Sequence, residues 1–149
     1  MPIFSNIFDT HMEPDSMVIT FSSDMKNIDR ACAESMAFLS ENVSCIPFKH
    51  FPINLVIREG LTNAVRHGNL NDPEKTVRFS TLLEMQYILF TIEDQGPGFD
   101  WKKLDLSFAR PDLETGRGLW IISRYSHEYG FNRRGNILYM KHPIPQKNI

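Results

Sequence analysis

Glu59 and Asn63 stand four residues apart in the run EGLTNAVRHGN, a spacing that stacks both side chains on one face of a helix. Ile57, Leu61, Ala64 and Val65 supply apolar contacts around them. A carboxylate one turn from an amide oxygen is suited to activating a hydroxyl or a water beside an oxygen-ligated Mg²⁺ held mainly by phosphates. The same pair also fits an ordinary solvated helix face, so by itself it does not decide.

Asp94 ends an apolar run and is followed by Gln95-Gly96-Pro97-Gly98-Phe99. Two glycines flanking a proline let backbone approach a flat ligand closely while the carboxylate projects into the same space, and a purine amino group suits such an acceptor. A plain turn explains Gly-Pro-Gly equally well. The Gly96-x-Gly98 spacing falls short of a dinucleotide fingerprint, because no third glycine follows at the required position. Further on, Gly116-Arg117-Gly118 precedes an apolar stretch, where backbone amides at a helix start favour phosphate; tight packing at that start is the other reading. Between these segments, Lys102 to Thr115 mixes charge with Phe108 and Pro111 without periodicity, as a lid over a ligand or a common surface loop does.

The elements that must carry these residues are legible from periodicity. Met17 to Phe21 reads as a strand, and Asp24 caps a helix over Lys26 to Asn42 with Ile28, Cys32, Met36 and Leu39 on one face. A second helix is expected from Phe51 to His67, stopped by Gly68-Asn69. Thr76 to Leu83 and Tyr87 to Glu93 read as an antiparallel pair. A third helix is expected from Gly118 to Tyr125, then strands at Glu128 to Asn132 and Asn136 to Lys141 around Arg133-Arg134-Gly135. The irregular alternation points to an α+β fold, a two-layer sandwich with helices on one face of a mixed, mostly antiparallel sheet. Residues 1–16 are expected as a loose N-terminal segment, 17–142 as one domain and 143–149 as a C-terminal tail.

Composition excludes little but narrows the class. With 149 residues and 42% apolar side chains there is material for one substantial core. Sixteen basic against eighteen acidic residues give no charge-based reason to bind nucleic acid or an anionic membrane. Cys32 and Cys45 form neither a CxxC pair nor a disulfide pattern, and no apolar run is long enough for a signal or a spanning helix, so a cytoplasmic protein is expected.

Order and spacing combine the three segments: Glu-x-x-x-Asn on a helix, Asp-x-Gly-x-Gly after a strand, Gly-x-Gly at a helix. In EGLTNAVRHGN, EDQGPGFD and TGRGLWIISRYSHEYGF the chain resembles the GHKL (Bergerat-fold) ATPase superfamily, and within it the anti-sigma factor serine/threonine kinases of bacterial partner-switching systems, over Met17 to His142. The resemblance implies a GHKL-type ATP-binding kinase domain using ATP and Mg²⁺. It implies Glu59 as general base, Asn63 as the Mg²⁺ ligand and Asp94 as acceptor for the adenine amino group. Gly96 and Gly98 would shape the adenine pocket, and Thr115, Gly116, Arg117 and Gly118 would surround the phosphates. His67 and Gly68 match the usual end of the helix. The implied reaction is phosphoryl transfer to an anti-sigma factor antagonist (STAS-type) protein by a homodimeric kinase that also sequesters a sigma factor, with sequestration without transfer as the alternative. One departure is that Glu114 and Thr115 stand where several such kinases carry an arginine for the γ-phosphate, leaving Arg110 and Arg117 as the nearest candidates.

Overall fold

The computed structural model describes residues 5–44, 50–101 and 114–144. Two strands open the fold, β1 (Phe8–Glu13) and β2 (Ser16–Ser22), followed by helices α1 (Lys26–Asn42) and α2 (His50–Asn63). A π-helical turn (Ala64–Gly68) extends α2; then come β3 (Thr76–Leu83), β4 (Tyr87–Glu93), α3 (Glu114–Tyr125), β5 (Glu128–Phe131) and β6 (Ile137–Pro143). The strands form one six-stranded sheet in the order β1-β2-β3-β4-β6-β5.

Alternation along the strands sets which face is covered. Met17, Ile19 and Phe21 of β2, Val77 and Phe79 of β3, Ile88, Phe90 and Ile92 of β4, and Leu138 and Met140 of β6 are all buried. Against them pack Ile28, Cys32, Met36 and Leu39 of α1, Ile53, Val56, Ile57 and Leu61 of α2, and Leu119 and Ile122 of α3. Gly60 lets α2 lie close to the sheet: a Cβ there would come within 2.6 Å of Ile92 Cδ1 and 3.1 Å of Leu138 Cδ2.

The α+β sandwich matches expectation, with corrections in detail. All five strand pairings are antiparallel, so the sheet is not mixed. Residues 1–16 are not uniformly loose: 8–13 form β1, which turns through Pro14-Asp15 onto β2. Although β1 carries few apolar residues, Phe8 stacks on Phe21 at 6.0 Å, the Arg30 guanidinium lies 3.9 Å over the Phe8 ring, and Thr10 Oγ1 donates to Glu34 at 3.0 Å. The strand is therefore held to both β2 and α1. The N-cap of α1 is Met25, which makes no side-chain capping bond, rather than Asp24; the Asp24 carboxylate one residue earlier accepts the Lys26 N–H at 3.0 Å.

The second helix also ends differently. Its last turn widens into π geometry as the Asn69 N–H reaches back five residues to the Ala64 carbonyl, and Leu70 and Asn71 then take left-handed φ values of 53° and 57°. The third helix starts at Glu114 rather than at Gly118.

Candidate functional site

On α2, Glu59 and Asn63 face α3. A Cβ at Gly118 would lie 2.9 Å from Glu59 Oε2 and 3.3 Å from both polar atoms of the Asn63 amide. Only a glycine leaves that carboxylate and amide side by side undisturbed under α3. Because α3 begins at Glu114, Gly116 falls in its first turn, where N–H groups lack helical partners, and Gly118 lies beyond that turn. Gly118 leaves room for the Glu59 and Asn63 side chains. Asn63 Nδ2 is buried with no hydrogen-bond partner among the described residues. A buried amide left unpaired costs stability, so this side chain is kept in a state that a ligand would improve.

Asp94, as it leaves β4, meets Gly68 at the end of the π turn, five residues past Asn63. Its N–H donates to the Asn136 carbonyl at 3.0 Å and its own carbonyl accepts from Asn136 Nδ2 at 3.2 Å, which fixes the backbone against β6. The carboxylate Oδ1 accepts the Gly96 N–H at 2.8 Å. A side chain at Gly68 would collide with this carboxylate, and one at Gly96 with the Gly68 carbonyl. Burial raises the Asp94 carboxyl above its ordinary pKa, while the Gly96 N–H and the Arg134 guanidinium draw it back.

Beyond Asp94, the Gly-Pro-Gly loop and the β5–β6 turn interlock. Gly98, at φ 81°, lies against the Arg134 carbonyl, and Gly135, at φ 86°, lies against the Phe99 backbone. Both positions combine a left-handed backbone with no space for a Cβ. Arg134 Nη2 donates to the Gly96 carbonyl at 3.1 Å and its Nε to the Pro97 carbonyl at 3.3 Å. Asn132 Oδ1 accepts the N–H groups of Gly135, Asn136 and Ile137 at 2.9, 3.0 and 3.0 Å, holding the turn in shape.

These pieces enclose a cavity of about 220 Å³. Its walls are largely apolar, from Ala64, Ile92, Phe99, Leu119, Phe131 and Leu138, with Asn63, His67, Asp94 and Asn136 as the polar groups. Phe99 and Phe131 meet edge to face at 5.1 Å. A flat, mostly apolar ligand with a hydrogen-bond donor directed at a carboxylate fits this space.

Of the residues singled out from sequence, Asn63, Asp94 and Gly98 line the cavity, Gly96 backs the Asp94 carboxylate, and Glu59 joins Asn63 beside Gly118. Arg117 is exposed on α3. Arg110, and the lid reading of Lys102 to Thr115 over residues 102–113, lie outside the described residues, as do the side chains of Thr115 and Gly116. Sequence reasoning did not pick out Phe99, Arg134, Asn136 or Asn69 as site residues. The first three belong to loops whose contact exists only across the sheet end; Asn69 follows the His67-Gly68 pair, so adjacency to that pair is the one local signal.

The sequence profile of the histidine kinase-like ATPase domain matches residues 21–142. The chain belongs to the histidine kinase-like ATPase domain family. Among curated proteins it is similar to the anti-sigma F factor of Geobacillus thermodenitrificans, at 28% identity over 137 residues, 87% of this chain and 93% of that protein. Similarity to the anti-sigma F factor of Geobacillus kaustophilus is 30% over 99 residues, 62% of this chain and 68% of the relative. For that of Bacillus cytotoxicus it is 35% over 80 residues, 51% and 55%. The resemblance read from the three motifs is thus borne out, and the cavity lies inside the matched histidine kinase-like ATPase span. Among the described residues no helix is long and apolar enough to cross a membrane.

Proposed function

We propose that the protein is an anti-sigma factor serine/threonine kinase that binds ATP with Mg²⁺, phosphorylates an antagonist protein of STAS type and sequesters a sigma factor. The reading is supported above all by two places on α2 and its π-turn extension: Glu59 and Asn63 beside Gly118, and, five residues past Asn63, Gly68 against the Asp94 carboxylate within the same cavity system. A nucleotide with its base at Asp94 directs its phosphates toward Asn63 and the start of α3. The anti-sigma F factor relatives support the regulatory half of the reading.

In this reading Asp94 accepts from the adenine amino group, with Gly96 and Gly98 shaping the pocket around the base. Asn63 is the protein's ligand to Mg²⁺, its amide turned to present oxygen, since the two amide atoms are interchangeable by rotation. Among the described residues no three His, Cys, Asp or Glu side chains gather as a metal site, which suits an ion held chiefly by phosphates and water. Bound Mg²⁺ supplies charge neutralisation on the phosphate oxygens. Glu59 takes the proton from the attacking serine or threonine hydroxyl as its oxygen bonds to the γ-phosphorus and the bond to ADP breaks. Thr115, Gly116, Arg117 and Gly118 are the residues assigned to the phosphates, Gly118 also making room for the Glu59/Asn63 pair. The protein acts in the cytoplasm as a homodimer, and no nucleic acid or membrane takes part.

Calorimetry of ATP binding with and without Mg²⁺, on the wild type, Asp94→Asn and Asn63→Ala, tests the site. Binding that needs Mg²⁺ and is lost in either variant is expected, followed by labelling of an antagonist protein from γ-labelled ATP. Absence of ATP binding by the wild type overturns the kinase reading.

A further inference from the structure

The antiparallel register of β3 and β4 sets Arg78 opposite Glu93. Extended by two residues it would set Thr76 opposite Gln95, yet the two strands do not bond there. The side chain of Asn69 stands between them: its Nδ2 donates to the Thr76 carbonyl at 3.0 Å and its Oδ1 accepts the Gln95 N–H at 2.7 Å. The amide thus occupies the place of a direct Gln95-to-Thr76 backbone bond, like a single peptide unit slipped into the ladder. Gln95 completes the exchange with its own side chain, whose Oε1 accepts the Thr76 N–H at 2.7 Å.

Asn69 is fully buried, and it is held from a third side because Nδ2 also donates to Ser23 Oγ at 2.7 Å. Ser23 in turn donates to the Lys75 carbonyl at 2.8 Å. All the hydrogen-bonding capacity of the Asn69 amide nitrogen is spent, and its oxygen is aimed at the residue next to Asp94. The backbone N–H of Asn69 closes the π turn onto Ala64, so the same residue fixes the end of α2 and the end of β4 relative to each other. That relative position is what brings Gly68 against the Asp94 carboxylate and Gly96 against the Gly68 carbonyl.

We propose that Asn69 is a positioning residue for base recognition: by bridging β3 and β4 at Thr76 and Gln95 it fixes the residue after Asp94, and with it holds the Asp94 carboxylate against Gly68. This rests on the nucleotide-binding reading above. Asn69 does not line the cavity, so it acts on a bound base only through the backbone it holds. The consequence is selective: loss of the bridge loosens the Asp94 carboxylate and leaves the Asn63 end intact.

The test compares ATP with the triphosphate of purine riboside, which lacks the 6-amino group, by calorimetry in the presence of Mg²⁺ on wild type, Asn69→Ala and Ser23→Ala. In the wild type ATP binds more tightly than the analogue. In Asn69→Ala ATP affinity is expected to fall about tenfold or more, with analogue affinity within about twofold, so that discrimination collapses; each buried bond of this kind accounts for roughly a tenfold factor. Ser23→Ala, which removes one partner of the amide without touching the cavity, is expected to shift discrimination in the same direction by less. Melting curves establish the folded fraction of each protein. Unchanged discrimination in a folded Asn69→Ala, or in Ser23→Ala where Asn69→Ala does not fold, overturns the proposal. Wild-type protein that binds neither nucleotide overturns the nucleotide reading itself, a result distinct from wild-type binding with unchanged variants.

Discussion

Gly118 on α3 and Glu59 on α2 are so close that a methyl group on the glycine would stand 2.9 Å from the Glu59 carboxylate oxygen. The neighbour is the far end of a flexible side chain, so Gly118→Ala is expected to fold: alanine favours a helix interior over glycine by about 0.8–1.0 kcal/mol, which offsets the crowding. The carboxylate must turn away, however, and phosphoryl transfer is expected to fall tenfold or more, since small misplacements of a reacting group are costly. Melting temperature against transfer rate checks this; a rate equal to wild type would remove Glu59 from the role given to it.

Glu59→Gln keeps shape and removes the base. Transfer to the antagonist is expected to drop by about 10²–10⁴-fold while ATP affinity stays within roughly twofold. Single-turnover labelling alongside calorimetry separates the two. Equal loss of both would mean that Glu59 holds the nucleotide instead of accepting a proton.

Asn63 carries a buried amide nitrogen with no hydrogen-bond partner among the described residues, a group that costs rather than contributes stability in the nucleotide-free protein. Asn63→Ala is therefore expected to leave the melting temperature of the nucleotide-free protein unchanged or slightly raised and to lose Mg²⁺-dependent ATP binding. A strongly destabilised variant would show that the amide has a structural role.

Asp94 holds its proton to a higher pH in the folded protein than in the unfolded chain, chiefly because it is partly desolvated. Between those two pKa values the folded state binds more protons, so this residue's contribution to stability falls as pH rises from the ordinary carboxylate value of 3.8 through the raised folded one. Asp94→Asn is expected to remove that slope and to be at least as stable as wild type at pH 7, while ATP binding falls tenfold or more. Denaturant melts across acid pH, with calorimetry at pH 7, measure both; an unchanged slope would contradict the desolvated carboxylate.

Gly98 and Gly135 interlock through backbone, with no side-chain end to yield. Gly98→Ala is expected to destabilise the fold by about 2 kcal/mol or more, from the left-handed φ and the collision with the Arg134 carbonyl. Arg134→Ala, which removes the two bonds to the Gly96 and Pro97 carbonyls and the guanidinium charge that acts on Asp94, is expected to cost less stability yet weaken ATP binding. Denaturant midpoints rank the two variants, and a Gly98→Ala protein as stable as wild type would sink the interlock.

The amino-acid sequence by itself determined the strands and helices whose apolar periodicity is strong: α1 over Lys26–Asn42, β3 over Thr76–Leu83 and β4 over Tyr87–Glu93 appear with those bounds. It also determined the family, because Glu59, Asn63, Asp94 and the glycine pairs lie in short local runs with fixed spacing. Elements set by long-range contact were decided only in three dimensions. β1 has too few apolar residues to signal a strand, and Phe8 on Phe21 with Arg30 above it is what holds it. The π turn exists because Asn69 is anchored at once to Ser23, Thr76 and Gln95, on three segments far apart in the chain. The sequence puts the start of α3 at Gly118, but the helix begins one turn earlier and sets that glycine over Glu59. Local periodicity encodes which residues are buried; which backbone atoms meet across the end of a sheet depends on the packing of all its strands at once, and that is where the Asn69, Arg134 and Asn136 contacts arise.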